Sequence, residues 1–236
     1  MFRSKRNKTD LSQISIKLSG NILEPEKDVK YLGMLIDENL SWDTHINNLC
    51  KKLGRANGII SKLRHYVPIE TLISVYYAIF HSQILYGCSS WSLTTKKNFN
   101  KINVLQKKCL RIINFKPFNA HTINLFSSNK INKLEDIVSI EQINLAFQYK
   151  NNLLPEDLMS LFHSNNNIYN TRNMKKGGLV LPHINTLSYG ERSIKFAIPS
   201  KWNEFIKSND FNHFKTHKSL WGFLKTHYFN TYTDPP

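Results

Sequence analysis

Apolar and polar positions alternate along the first forty residues. Ile14, Ile16 and Leu18 are separated by Ser15 and Lys17, the period of two that puts one face of a strand against a core. Ser19-Gly20-Asn21 supplies turn chemistry. Val29 to Ile36 reads as a second extended run, closed by Asp37-Glu38-Asn39. The pattern predicts an antiparallel pair of strands joined by a loop of about ten residues.

From Ser41 the period becomes helical. Ile46, Leu49, Leu53, Ala56, Ile60 and Leu63 recur at intervals of three and four, one apolar seam on a helix. Ser41 is placed to cap it, and Asp43 lies in the first turn, where the helix dipole favours a negative charge. Gly54 and Gly58 strip one side of this helix of side chains, which predicts close approach by another backbone. Pro68 suits the first turn of a second helix. That helix is apolar almost all round as far as Leu85, so it is expected at the buried centre of a bundle and to end at Gly87. A third helix, 97–114, carries Phe99, Ile102, Leu105, Cys109 and Ile112 on one stripe. Pro117 breaks the chain.

The expected fold is mainly α. A short N-terminal β-hairpin (1–40) precedes a three-helix bundle (41–116) and a second, smaller helical region (117–162). A linker rich in Asn and Gly (163–178) then leads to a C-terminal basic and aromatic region (179–236) with a last helix over 211–228.

Charge changes this picture most. The 236 residues carry a formal net charge of +15, with 41% apolar and 12% aromatic residues. The apolar content is that of a folded chain, and the charge marks a polyanionic partner. Lys51, Arg55 and Lys62 share one face of the first helix, and Lys97, Lys101, Lys107, Lys108 and Arg111 line the third. Between Thr94 and Phe118 stand seven basic residues and no acidic one. A solvated helix face also carries charge, but it normally mixes signs. Arg172 and Lys195 add basic positions further on. Tyr31, Trp42, Tyr169, Phe196 and Trp202 stand near these cations and could stack on bases, although each taken alone is more readily a core residue and only the combination with net charge carries weight. Phosphate neutralisation by such groups gives sequence-independent affinity, so the expected partner is nucleic acid, whether RNA, DNA or their hybrid.

No membrane partner is expected, because no run approaches the about 18 apolar residues of a spanning helix. Residues 1–10 lack the apolar stretch of a secretory signal, and three widely spaced cysteines favour a reduced, intracellular setting. Catalytic inventories are missing. No two aspartates are adjacent, and the most interesting pair, Asp37 and Asp43, reads as a strand end and a helix start. A two-metal nucleotidyl-transfer site needs converging carboxylates, so no catalytic residue is assigned. His213 and His217 are four apart, but neither the Glu of HExxH nor a cysteine pair accompanies them. No metal site is assigned.

Val29-Lys30-Tyr31-Leu32-Gly33, followed by Ile36-Asp37, Leu40-Ser41-Trp42 and His45-Ile46, resembles the region after the palm in reverse transcriptases of jockey-like non-LTR retrotransposons. Asn7-Lys8-Thr9 precedes it where that family has the same three residues. Tyr86-Gly87 with Trp91, Leu105-Gln106-Lys107-Lys108 with Arg111, Tyr169-Asn170-Thr171-Arg172 and Trp202-Asn203 follow in the same order. The resemblance implies that Lys30, Tyr31, Leu32 and Gly33 form a primer-grip hairpin and that 41–116 is a thumb on the template–product duplex. It also implies that the Tyr-x-Asp-Asp motif is absent. The chain would then be a fragment without activity or cofactor of its own, Mg²⁺ being expected only in the intact parent polymerase, whose palm and fingers are further candidate partners. A stand-alone nucleic-acid-binding protein derived from such an element is the alternative, and a helical protein-interaction scaffold is another.

Overall fold

A computed structural model describes residues 16–164, 177–186, 190–209 and 213–232. The N-terminal part forms two separate hairpins instead of one long-range pair. Strand β1 (Ile16–Leu18) pairs antiparallel with β2 (Asn21–Leu23), and β3 (Asp28–Tyr31) with β4 (Met34–Asp37). Register Tyr31↔Met34 leaves Leu32-Gly33 as a two-residue loop. Both loop residues have positive φ, 45° and 81°, as do Ser19 and Gly20 at 51° and 86°. Two positive φ values define the tight turn whose twist matches a hairpin, and a two-residue loop closes more cheaply than a ten-residue one. The apolar Leu32 hid the second turn within an apolar run. Ile14, and Asn7-Lys8-Thr9 before it, lie outside the described residues.

The junction with the first helix is built by Asp37. Its buried carboxylate accepts from the amides of Asn39 (3.1 Å), Ser41 (3.0 Å) and Trp42 (2.7 Å). Wrapping the chain around one carboxylate puts Leu40 and Trp42 in the left-handed region, φ 51° and 64°. Trp42 therefore occupies the cap position of α1 (Asp43–Leu63) in place of Ser41, whose hydroxyl accepts from the Asp43 amide at 3.3 Å.

Helix α1 and α5 (Lys96–Ile113) run parallel, shown by ties along their length. Asn98 donates to Asp43 at 2.6 Å, Lys101 to Asn47 at 3.1 Å and Asn57 to the Leu105 carbonyl at 3.1 Å. Between them the chain forms α2 (Ile69–Val75), a π-helical stretch (Tyr76–His81) and α3 (Ser82–Leu85), continuous with one another, then α4 (Cys88–Trp91). This rod is buried along Leu72, Tyr76, Phe80, His81 and Ile84 only, with Ile69 exposed. The all-round burial expected here belongs instead to α7 (Leu134–Lys150), which buries eleven residues, among them Ser139, Gln142 and Asn144. Those polar positions concealed it from a hydropathy reading.

Around α7 lie α6 (Ile123–Ser128), α8 (Glu156–Met159), α9 (Ile194–Ser208) and α10 (His217–Asn230). The last helix starts later than expected because Thr216 and Ser219 form a reciprocal capping box. One core gathers Ile46, Leu53, Phe80, Trp91, Ile102 and Ile137, and a second gathers Ile140, Phe147, Phe162, Trp202 and Leu224. Gln106, fully buried, joins three elements. It donates to the Tyr76 hydroxyl and the Asn132 carbonyl, both at 3.0 Å, and accepts from the Leu134 amide at 2.9 Å. Among the described residues, no helix is long and apolar enough to cross a membrane.

Candidate nucleic-acid interface

The seam of α1 buries Ile46, Leu49, Leu53, Ala56 and Ile60, and at 100° per residue Lys51, Arg55 and Lys62 fall on the opposite side. All three are exposed. On α5, burial of Ile102, Gln106, Cys109 and Ile113 leaves Lys97, Lys101 and Lys108 exposed on the reverse face. Lys107 and Arg111 stand on its flank, half-buried. The two sets are continuous, because Lys101 bonds Asn47 and Asn47 lies one turn before Lys51. Lys51, Arg55, Lys62, Lys97 and Lys108 have no carboxylate partner among the described residues. Unpaired cations held on two rigid helices keep their charge for an outside anion.

Arg111 is different. Its Nε donates to the Ala120 carbonyl at 2.9 Å and ties down the loop after α5, so part of its donor set is spent within the fold. The glycines of α1 also depart from expectation. A methyl group at Gly54 or Gly58 would meet nothing within 4 Å, so the stripped side faces open space, next to Lys51, Arg55 and Lys62. Lys195 is exposed on α9, away from this face in the chain, and Arg172 lies outside the described residues.

Lys30, Tyr31, Leu32 and Gly33 stand at the exposed tip of the β3–β4 hairpin, with Tyr31 and Leu32 61% and 71% exposed. Sequence reasoning missed what holds this tip. The Tyr86 hydroxyl donates to the Leu32 carbonyl, and the Tyr86 ring lies under Gly33, 3.6 Å from where a Cβ would stand. Gly87 follows with φ 62°, and a side chain there would collide with the Met34 sulfur. Leu32-Gly33 and Tyr86-Gly87, more than fifty residues apart, thus interlock. The signal was the pair of glycine-containing motifs, but nothing local connects them.

Several other motif residues prove to be internal fasteners. Trp91 is buried and donates to the Tyr86 carbonyl at 3.0 Å. Trp202 is fully buried, donating to Gly177 at 3.0 Å, which removes it from the stacking candidates. Asn203 bonds both the amide and the carbonyl of Leu179 at 2.8 Å. Trp42 is half-buried, edge-on to His45, Phe196 is half-buried, and Tyr169 lies outside the described residues.

Among the described residues, the two aspartates singled out in the sequence are engaged within the fold. Asp37 is occupied by three backbone amides and Asp43 by Asn98. Among the described residues no three His, Cys, Asp or Glu side chains converge. His213 lies ahead of the Thr216 cap, so it does not share a helix with His217.

No family model matches the chain, and no solved structure matches it. It is 26% identical over 147 residues to the RNA-directed DNA polymerase from mobile element jockey of Drosophila melanogaster, covering 61% of this chain and 16% of the relative. It is 25% identical over 125 residues to the jockey polymerase of Drosophila funebris, covering 51% and 14%. A probable RNA-directed DNA polymerase from transposon BS of D. melanogaster is 24% identical over 135 residues, covering 52% and 14%. The chain thus has homologues among jockey-type RNA-directed DNA polymerases of mobile elements, and it spans at most 16% of the length of these three.

Proposed function

We propose that this chain is the post-palm part of a non-LTR retrotransposon reverse transcriptase, with α1 to α5 acting as a thumb that holds the template–primer duplex. The observation that carries the reading is the cationic face of α1 and α5, on which Asp43 at the start of α1 is the one acid of either helix. Cations there neutralise phosphates and position a duplex without reading its sequence. The β3–β4 tip, braced by Tyr86, is the primer-grip element in this reading. The polymerising carboxylates and their Mg²⁺ ions come from outside these 236 residues, so the chain alone incorporates no nucleotides. The apolar side chains on the hairpins support this. Ile16, Leu18, Ile22 and Val29 are each more than half exposed, as expected of strands that pack against further polymerase structure.

The test is duplex affinity as a function of salt. With about five phosphates neutralised, log K falls against log salt with a slope of roughly −4 to −5, a loss of roughly 10² to 10³ between 50 and 200 mM. Reversing Lys51, Arg55, Lys101 and Lys108 to Glu should flatten that slope by roughly three to four units, about 0.9 for each phosphate no longer neutralised. Arg111 is left intact because it also holds Ala120. A variant that keeps the parental slope refutes the assignment of the duplex to this face.

A further inference from the structure

Because α1 and α5 run parallel, their C-terminal ends come together, and both end in exposed aromatic residues. Tyr66, just past α1, is 84% exposed, and Phe118, just past α5, is 90% exposed. Between them Phe115 is 51% exposed. The Arg64 guanidinium stands over the Phe115 ring at 5.1 Å, and His65 meets the same ring edge-on at 5.9 Å. The Arg64 Nε bonds His65 at 3.2 Å, which fixes the pair. Phe115 has φ 54°, and its amide and that of Lys116 bond back to Ile112 (3.3 Å) and Arg111 (2.9 Å). This is the left-handed helix-end position that glycine or asparagine normally fills, and a bulky aromatic residue is strained there. Two rings stand in water and a third, strained one is half-exposed beside Arg64 and His65; none of the three belongs to either core.

The charge in these stretches is one-sided. Neither 44–69 nor 91–134 contains an acidic residue, while Arg64 stands over the Phe115 ring and Lys62 and Lys116 lie in the same two stretches. Glu70, in the first turn of α2, is the nearest acid in the chain. Two helix C-termini bring partial negative charge to this end, which disfavours a phosphate held directly on the axes. Rings that take base faces, with cations set around them for the backbone, suit such an end better. Bases inside a duplex have no free face, whereas unpaired bases do.

We propose that Tyr66, Phe115 and Phe118, with Arg64 and Lys116, form a stacking platform for single-stranded nucleic acid at the end of the basic face. This shares with the thumb reading only that the partner is a nucleic acid; the strand bound here is unpaired. On the full chain, affinities for fluorescein-labelled oligo(dT) and for a blunt duplex are compared for the parent, Tyr66→Ala/Phe118→Ala and Phe115→Gly. Tyr66 and Phe118 are so exposed that their truncation leaves the fold intact, and glycine is at ease at the φ of Phe115. Oligo(dT) affinity should fall about tenfold for each ring removed, with duplex affinity unchanged within about twofold because phosphate contacts remain. Parental oligo(dT) affinity in both variants overturns the proposal, and so does an equal loss for oligo(dT) and duplex. Flotation with phosphatidylserine vesicles that the variants abolish, without any loss of oligo(dT) affinity, overturns it in favour of a membrane surface. Failure of the charge reversals on the basic face would leave the duplex slope at its parental value and the oligo(dT) comparison untouched, so the two readings fail separately.

Discussion

Individual residues here divide into fasteners and free ends. Gln106, Trp91 and Asn203 spend their polar atoms inside the molecule, whereas Lys51, Arg55 and Lys108 spend none among the described residues. Gly87 is the sharpest fastener. It combines φ 62° with a space already filled by the Met34 sulfur. Gly87→Ala must therefore strain the backbone and push β4 away. A loss of about 1–3 kcal/mol is expected in urea unfolding, with the Leu32–Tyr86 hydrogen bond released. Unchanged stability would show that the hairpin tip is not clamped as described.

At the scale of elements, α1 carries both a seam and a bare flank. Gly54 and Gly58 cost the helix about 1 kcal/mol each relative to Ala, and no other element comes within 4 Å of where a Cβ would stand at either to return that cost. Gly54→Ala/Gly58→Ala should raise stability by about 1–2 kcal/mol in thermal or urea unfolding. A destabilised double variant would mean that another backbone packs against this flank. The π-helical stretch matters at the same scale. Its wider turn puts Tyr76, Phe80 and His81 together inside the bundle, where a regular α-helix would turn one of them outward.

For the whole molecule, His81 lies where the bundle meets α10. Its ring sits 5.1 Å from Tyr77, and Lys225 of α10 stands 5.5 Å from Tyr77 and 3.7 Å from Trp221. Burial, reinforced by the Lys225 charge, lowers the imidazole pKa from 6.5 to about 4. Its Nδ1 has no hydrogen-bond partner among the described residues. The unfolded chain binds this proton below pH 6.5 and the folded chain only near pH 4, so stability drains away as pH falls through that window. The contribution is up to roughly 3 kcal/mol. Asp136 and Glu141, pushed up by burial, act with the opposite sign, since the folded state takes up their protons first. Comparison with His81→Phe isolates the histidine. Between about pH 7 and 4.5 the parent should lose about 2–3 kcal/mol more than the variant. Identical profiles would show that the imidazole accepts its proton within the fold.

Periodicity and charge were enough to determine the helical class, the seam of α1, the extent of α5 within a residue and the outward cations, because each depends on spacing along one element. Composition, with the ordered motifs, pointed to the polymerase relatives. Tertiary structure alone decided that α1 and α5 run parallel, and therefore that Tyr66, Phe115 and Phe118 share one end. It alone set Tyr86 beneath Gly33, made α7 rather than the α2–α3 rod the more deeply buried helix, and turned Trp202 inward. Such outcomes depend on which elements meet. Contacts between residues fifty or more positions apart are fixed by packing of whole faces, and no local repeat in the sequence encodes them.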